Sequence, residues 1–117
     1  MTALRLIPLP VHSALEMLLG IVVGVAPFAL GLSAPATIVG VVIGVLIVGL
    51  ALQSLDTGAG DTTPIAAHLA GDQGLSLGLA VAAAAMAVAG ESVAAALFAG
   101  AAVVQLVLIL ATRYTAR

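Results

Sequence analysis

The sequence predicts an all-α protein, a bundle of four transmembrane helices that is built from two tandem helical hairpins. Hydrophobic residues make up 63% of the 117-residue chain and charged residues only 7%, whereas a soluble domain carries about 25% charged residues. The mean hydropathy is +1.34. The apolar residues fall into four runs, and each run approaches the roughly 20 residues that a helix needs to cross a bilayer.

The first two runs form the first predicted hairpin, about residues 11–52. Its first helix is expected at residues 11–31, after a proline-containing lead-in in which Pro8 and Pro10 suit an extended segment or a first turn. Its second helix is expected at residues 35–52, where Ser33 can cap the helix and Pro35 suits the first turn.

The last two runs form the second predicted hairpin, about residues 64–112. The pair Thr63-Pro64 is a suitable start for the third helix, which is expected to end near Gly90, and the fourth helix is expected at residues 92–112. A polar loop at residues 53–63, which contains Asp56 and Asp61, separates the hairpins. We therefore expect one membrane domain over residues 1–117.

The basic residues predict the orientation of the chain in the bilayer. Arg5, Arg113 and Arg117 all lie near the ends, and neither short turn within a hairpin contains Lys or Arg. Cytoplasmic segments carry an excess of Lys and Arg. We therefore predict a multi-pass protein of the cell (inner) membrane that contacts the lipid bilayer and has both termini in the cytoplasm.

Several functional classes have no support in the composition. The net charge is −2 with three Lys and Arg together, so no basic face is available to bind nucleic acid. The chain has no cysteine, which excludes disulfides and thiolate metal sites. Phosphate-binding Gly-Lys loops, nucleophile elbows and zinc-protease helices are absent from the sequence. No sequence feature predicts an enzyme.

The two halves of the chain resemble one another at a shift of 56 residues. In each half a histidine precedes a carboxylate by four residues, near the start of the first helix of the hairpin. The aligned pairs are His12 with His68, Glu16 with Asp72, and Gly44 with Gly100. This pattern predicts a parallel duplication with an approximate axis along the membrane normal.

A family resemblance follows from the spacing of small residues around the triplet Ala26-Pro27-Phe28, with Gly20, Gly31 and Gly40. Residues 12–52 resemble one unit of the SPW-repeat family of small bacterial membrane proteins, which is named for a Ser-Pro-Trp triplet at the end of a first transmembrane helix. The second hairpin lacks the triplet and has residues 82–84, all alanine, in its place. The resemblance implies paired transmembrane hairpins and no particular activity.

Polar residues inside the predicted helices are the candidates for function. Acidic groups at bilayer depth are costly, by about 2.5–3.5 kcal/mol, and usually face the protein interior with a partner. Residues four apart share a helix face, so each histidine can reach the carboxylate that follows it. We expect one buried layer on the cytoplasmic side, which could hold an ion, a proton or a ligand: His12, Glu16, His68, Asp72 and Gln105.

The sequence leaves four interpretations of this layer open. It could be purely structural, with hydrated or histidine-neutralised carboxylates. Alternatively, His12, Glu16, His68 and Asp72 could bind zinc, manganese or iron, for which their donor atoms are suitable. A haem could be held between the two histidines. Glu16 and Asp72 could instead form a proton or ion pathway. The sequence therefore does not identify a cofactor.

Glycines four residues apart predict faces on which membrane helices can approach closely. These faces could pack the hairpins of one chain or form a dimer. Their glycines, together with Gly100, are the candidate packing residues: Gly20, Gly24, Gly40, Gly44, Gly74, Gly78 and Gly100.

The function predicted first is that of a small accessory or structural membrane protein, which packs with itself or with a larger membrane complex. An oligomeric transporter or ion pathway that uses Glu16 and Asp72 is the first alternative. A metal- or haem-binding membrane protein that uses His12 and His68 is the second. Oligomerisation is expected for a transporter because a single chain of 117 residues encloses little volume.

Overall fold

The computed structural model describes residues 6–55 and 65–112, which form four helices. Each helix is long and apolar enough to cross a membrane. The predicted all-α fold of two helical hairpins is confirmed. The loop carboxylates Asp56 and Asp61, the start of helix three at Thr63-Pro64, and the three arginines lie outside the described residues. The helices are α1 (Leu9–Ala29), α2 (Ala34–Leu55), α3 (Ile65–Val88) and α4 (Ser92–Ala111).

Most helix ends differ from the predicted ones by one to three residues, and α1 ends at Ala29 instead of residue 31. Pro8 is the N-cap of α1 and Pro10 lies in its first turn, where the amide that proline lacks would have no partner within the helix. The helix therefore begins earlier than predicted. Helix α2 continues past the apolar run, includes Gln53 and ends at Leu55. A helix forms the hydrogen bonds of its own backbone, which lipid cannot supply.

The two short turns have the same backbone motif. Gly31 has a φ of 62° and Gly90 a φ of 81°, a left-handed conformation that favours glycine. The amide after each glycine donates to a carbonyl five residues earlier: Leu32 to Pro27 at 2.9 Å, and Glu91 to Met86 at 2.8 Å. These are the hydrogen bonds of the Schellman motif, which ends a helix and reverses the chain.

A hydrogen bond joins the two turns. The Ser33 hydroxyl donates to Glu91 Oε1 at 2.5 Å and accepts the Ala36 amide at 3.3 Å. Ser33 therefore caps α2, as predicted, and also links the first hairpin to the second. We call the end of the bundle that contains the two turns the turn end. The opposite end, where α1 begins and α4 ends, is the terminal end.

The first hairpin packs backbone against backbone. A Cβ atom added to Gly44 would lie 2.6 Å from the carbonyl oxygen of Gly20, and one added to Gly20 would lie 2.9 Å from the carbonyl oxygen of Gly44. A Cβ atom at Gly40 would lie 2.7 Å from Pro27 Cγ. These three glycines allow α1 and α2 to approach closely, as small residues do in membrane helix pairs.

The other candidate packing glycines have open surroundings. A Cβ atom at Gly24, Gly74, Gly78 or Gly100 would meet no neighbouring side chain or other helix within 4 Å. The predicted match of Gly44 with Gly100 is therefore not a match of environment. Helix α3 has 24 residues and α1 has 21. Three extra residues displace the second turn by about 4.5 Å, so Gly100 lies at a different height in the bundle from Gly44.

The helices form a four-membered bundle in which α1 and α3 are diagonal. Helix α1 packs on α2 and α4, and α3 packs on α4 and α2. Large apolar side chains fill the core, among them Val23, Ile47, Leu79 and Phe98. The outer surface consists largely of exposed Leu, Ile and Val side chains, which suits contact with a lipid bilayer.

Candidate metal centre

The structure brings the five predicted polar residues together at the terminal end. Their exposed fractions are 0–1%, so none of them contacts solvent. We call this set the polar cluster: His12, Glu16, His68, Asp72 and Gln105. An isolated charge in such surroundings would be strongly unfavourable, and the contacts within the cluster therefore decide what it can do.

The helices place the four ionisable side chains symmetrically. In α1 the histidine is the fourth residue and the carboxylate the eighth, and the same is true of α3. A separation of four residues keeps both on one helix face. The carboxylates lie about 10 Å along each helix from its start, at 1.5 Å per residue. Because α1 and α3 are diagonal, both faces point into the bundle.

The shortest approach is between hairpins and not within one helix. His12 Nε2 lies 2.9 Å from Asp72 Oδ2, but 3.7 Å from Glu16 Oε2. His68 Nε2 lies 3.4 Å from Glu16 Oε1 and 3.2 Å from Asp72 Oδ2. The predicted local pairs therefore form parts of one four-membered group in which each histidine contacts both carboxylates.

Gln105 on α4 binds the outer oxygens of both carboxylates. Its Nε2 donates to Glu16 Oε2 at 2.7 Å and to Asp72 Oδ1 at 3.3 Å. Of the other oxygens, Asp72 Oδ2 faces both histidines and Glu16 Oε1 faces His68. One amide thus orients two carboxylates from different hairpins.

Thr112 contributes to the site and is absent from the sequence-based candidates. Its hydroxyl donates to the Leu108 carbonyl and lies 2.7 Å from His12 Nδ1. The hydroxyl proton is used in the first bond, so Thr112 accepts from His12 Nδ1–H. This bond turns Nε2 towards the carboxylates. The available sequence signal is spacing, because Thr112 follows Gln105 by seven residues, which is two helical turns.

Two oxygens of the polar cluster, one on Glu16 and one on Gln105, have no hydrogen-bond partner among the described residues. Glu16 Oε1 is fully buried and accepts no hydrogen bond from the described part of the chain. Ser13 Oγ and Gln105 Oε1 are buried in the same state. Most buried polar atoms in proteins have a partner, so an exception requires an explanation. Glu16 Oε1 points towards His68, at the centre of the cluster.

The four ionisable residues have the donor set of a metal centre. One ligand atom from each of His12, Glu16, His68 and Asp72 lies within 4.8 Å of all the others. We call these four the ligand quartet. Two donors at about 2.0–2.1 Å from one zinc ion are separated by about 2.9–4.2 Å, depending on the angle at the metal. Asp72 Oδ2 lies 2.9 Å from His12 Nε2 and 3.2 Å from His68 Nε2, and Glu16 Oε1 lies 3.4 Å from His68 Nε2.

The polar groups do not continue across the bundle. Among residues 6–53 and 67–112, every buried polar side chain belongs to the terminal end. The core from Val23 and Leu79 towards the turns is apolar. At the terminal end, the Ile7 amide donates to the Ala111 carbonyl at 2.9 Å and ties the start of the chain to α4.

No protein-family model, curated protein or solved structure matches the chain. The resemblance to the SPW-repeat family therefore stays a prediction. The fold and the geometry of the polar cluster are the basis for any functional conclusion.

Proposed function

We propose that this protein is a small integral membrane protein that binds one divalent transition-metal ion in the ligand quartet. The observation that carries the proposal is the convergence of four buried donor atoms, two from each hairpin, within 4.8 Å of one another. Imidazole and carboxylate together suit zinc, manganese and iron.

The charge of the quartet supports an ion. Glu16 and Asp72 are both fully buried, and two ionised carboxylates so close together repel each other. A divalent cation with two carboxylates and two neutral imidazoles forms a neutral unit. Such a unit is compatible with an apolar interior, where an uncompensated charge is very costly. Glu16 Oε1, which accepts no hydrogen bond from the described residues, would gain a bond to the metal.

The alternative roles of the cluster have weaker support. A haem would need its macrocycle between the two imidazoles, but Asp72 Oδ2 lies within 3.2 Å of both His12 and His68. A proton pathway through one chain would need polar groups beyond the cluster, where the described core is apolar. A purely structural cluster would be expected to satisfy its buried oxygens.

Metal analysis of the protein purified in mild detergent tests the proposal. We expect one zinc, manganese or iron ion per chain, with stoichiometric zinc binding after the metal has been removed and zinc added back. The variants His68→Leu and Asp72→Asn should lose this binding. Ser13→Ala removes a buried hydroxyl that is not a ligand and should retain it. Binding of less than a tenth of an equivalent by the wild-type protein would refute the proposal.

The outer face of α3 favours a second function, self-association in the membrane. Gln73 is exposed within this helix, on the face that also carries the small residues Ser76 and Ala80. An amide both donates and accepts hydrogen bonds, so two Gln73 side chains related by a two-fold axis along the membrane normal could pair. Polar side chains and small residues are typical of contacts between membrane helices. We propose a second copy of this chain as the partner.

Thiol cross-linking in membranes tests this association, because the chain contains no native cysteine. We expect Gln73→Cys to form a cross-linked dimer. Leu46→Cys, on the exposed face of α2, is the matched control and should remain monomeric. Equal cross-linking of the two variants would indicate random collision and contradict a dimer face on α3.

A further inference from the structure

We infer that Gln105 limits each carboxylate of the ligand quartet to one metal bond and thereby makes the site selective for zinc over manganese. This inference rests on the proposed function, because it concerns the same site. It assigns to Gln105 a positioning role, since the amide would act on the metal through Glu16 and Asp72.

The hydrogen bonds of Gln105 divide the carboxylate oxygens into two sets. Its Nε2 donates to Glu16 Oε2 and Asp72 Oδ1, and the distances are 2.7 and 3.3 Å. The two remaining oxygens, Glu16 Oε1 and Asp72 Oδ2, are the ones that approach His68 Nε2, at 3.4 and 3.2 Å. A hydrogen bond to the outer oxygen favours the orientation in which the carboxylate presents its other oxygen, and not both, to an ion at the centre.

Burial removes the other source of ligands. The quartet side chains are 0–1% exposed, so bulk water has no open face from which to complete a larger coordination shell. The site therefore supplies two nitrogens and two oxygens, which makes four bonds in all. The coordination number follows from Gln105 and burial together.

Divalent ions differ in how well they accept four ligands. Zinc is almost always four-coordinate in closed protein sites. Manganese, like magnesium and calcium, prefers octahedral surroundings that are rich in oxygen. A site with four donors and no water thus favours zinc, and the general affinity order of nitrogen and oxygen sites adds to this preference.

The position of Gln105 suits a role in orientation. Its Oε1 has no hydrogen-bond partner among the described residues, so the nitrogen side of the amide makes the hydrogen bonds observed for this group. Replacement by leucine would keep a similar volume and delete the two carboxylate contacts. Either carboxylate could then rotate and present both of its oxygens.

X-ray absorption of the zinc-loaded full-length protein tests the inference, together with competition between zinc chloride and manganese chloride. For the wild type we expect four nitrogen or oxygen ligands and strong preference for zinc. For Gln105→Leu we expect a higher coordination number and a smaller zinc-to-manganese affinity ratio. The affinity for zinc itself should fall by about 10–100-fold, the usual effect of losing an outer-shell partner. Ser13→Ala is the control and should match the wild type.

The outcomes separate the two proposals. Zinc binding with five or six ligands in the wild type, or an unchanged affinity ratio in Gln105→Leu, would overturn the role of Gln105 and leave the metal site intact. A wild-type protein that binds neither metal would overturn both. If Gln105→Leu does not fold, the wild-type coordination number still decides the question.

Discussion

His12 is held on both sides of its imidazole ring. Its Nδ1 donates to Thr112 Oγ1 at 2.7 Å, and its Nε2 lies 2.9 Å from Asp72 Oδ2. Histidine ligands in metal sites commonly donate their second nitrogen to such a partner, which fixes the tautomer and the ring orientation. The same arrangement is present here, on a helix end that the sequence alone does not connect with His12.

The contact with Thr112 predicts an effect on metal affinity. We expect Thr112→Val to weaken zinc binding by about 10–100-fold, because the imidazole loses its orienting acceptor. Thr112→Ser keeps the hydroxyl and should bind nearly as tightly as the wild type. Competition with a chromophoric zinc chelator measures both. Equal affinity of the valine variant and the wild type would show that the hydroxyl does not orient the ligand.

The residues of the polar cluster could be predicted from the sequence, but their pairing could not. Histidines, carboxylates and a glutamine are conspicuous in apolar runs because burying them unpaired is costly. Helical periodicity then connects His12 with Glu16. The shorter contact of His12 with Asp72 depends on how two diagonal helices face each other, which no local pattern encodes. Thr112 ends a helix, where a hydroxyl is ordinary, so its spacing of seven residues from Gln105 is the one signal that the sequence offers.

At the scale of the helices, hydropathy predicts that a helix exists and roughly how long it is, but it predicts less well at which residues the helix begins and ends. Four apolar runs became four helices because lipid cannot satisfy a free backbone amide or carbonyl. The ends depend on finer chemistry, such as Pro8 serving as the cap of α1. The three additional residues of α3 also escaped the sequence comparison, because alanine and glycine are frequent enough to align at several shifts.

The close packing of α1 on α2 predicts a selective loss of stability. In Gly44→Ala the new methyl group would lie 2.6 Å from the Gly20 carbonyl oxygen and 2.8 Å from the Gly24 nitrogen. Backbone cannot move aside as a side chain can, so we expect a destabilisation of about 1–3 kcal/mol. Unfolding in mixed detergent micelles, followed by circular dichroism, measures this free energy.

A glycine on the same helix supplies the control. A methyl group at Gly49 would meet no neighbouring helix within 4 Å. Gly49→Ala should therefore lose no stability and could gain up to about 1 kcal/mol, because alanine has the higher helix propensity. Similar losses in the two variants would mean that the close contact between α1 and α2 does not set the cost.

At the scale of the whole molecule, the orientation in the membrane is a prediction from the three arginines. We expect a cysteine introduced by Ala116→Cys to react with a membrane-impermeant maleimide only after the cell membrane is opened. Ala34→Cys, which is exposed at the turn end, should react in intact cells. The reverse pattern would place the polar cluster at the outer surface, where a metal would arrive from outside the cell.

The quartet also predicts how the metal should affect the stability of the whole chain. Each hairpin supplies one histidine and one carboxylate, so an ion at the centre joins the two hairpins. It would add to the polar contacts that already link them, among them the His12–Asp72 and Ser33–Glu91 bonds. A ligand that binds only the folded state stabilises it by about 2.7 kcal/mol at a concentration 100 times its dissociation constant. We therefore expect zinc to raise the unfolding temperature of the metal-free protein in proportion to the logarithm of its concentration. Magnesium should not raise the unfolding temperature of the wild type, and zinc should not raise that of His68→Leu. An equal rise with zinc in His68→Leu would mean that zinc acts elsewhere on the protein.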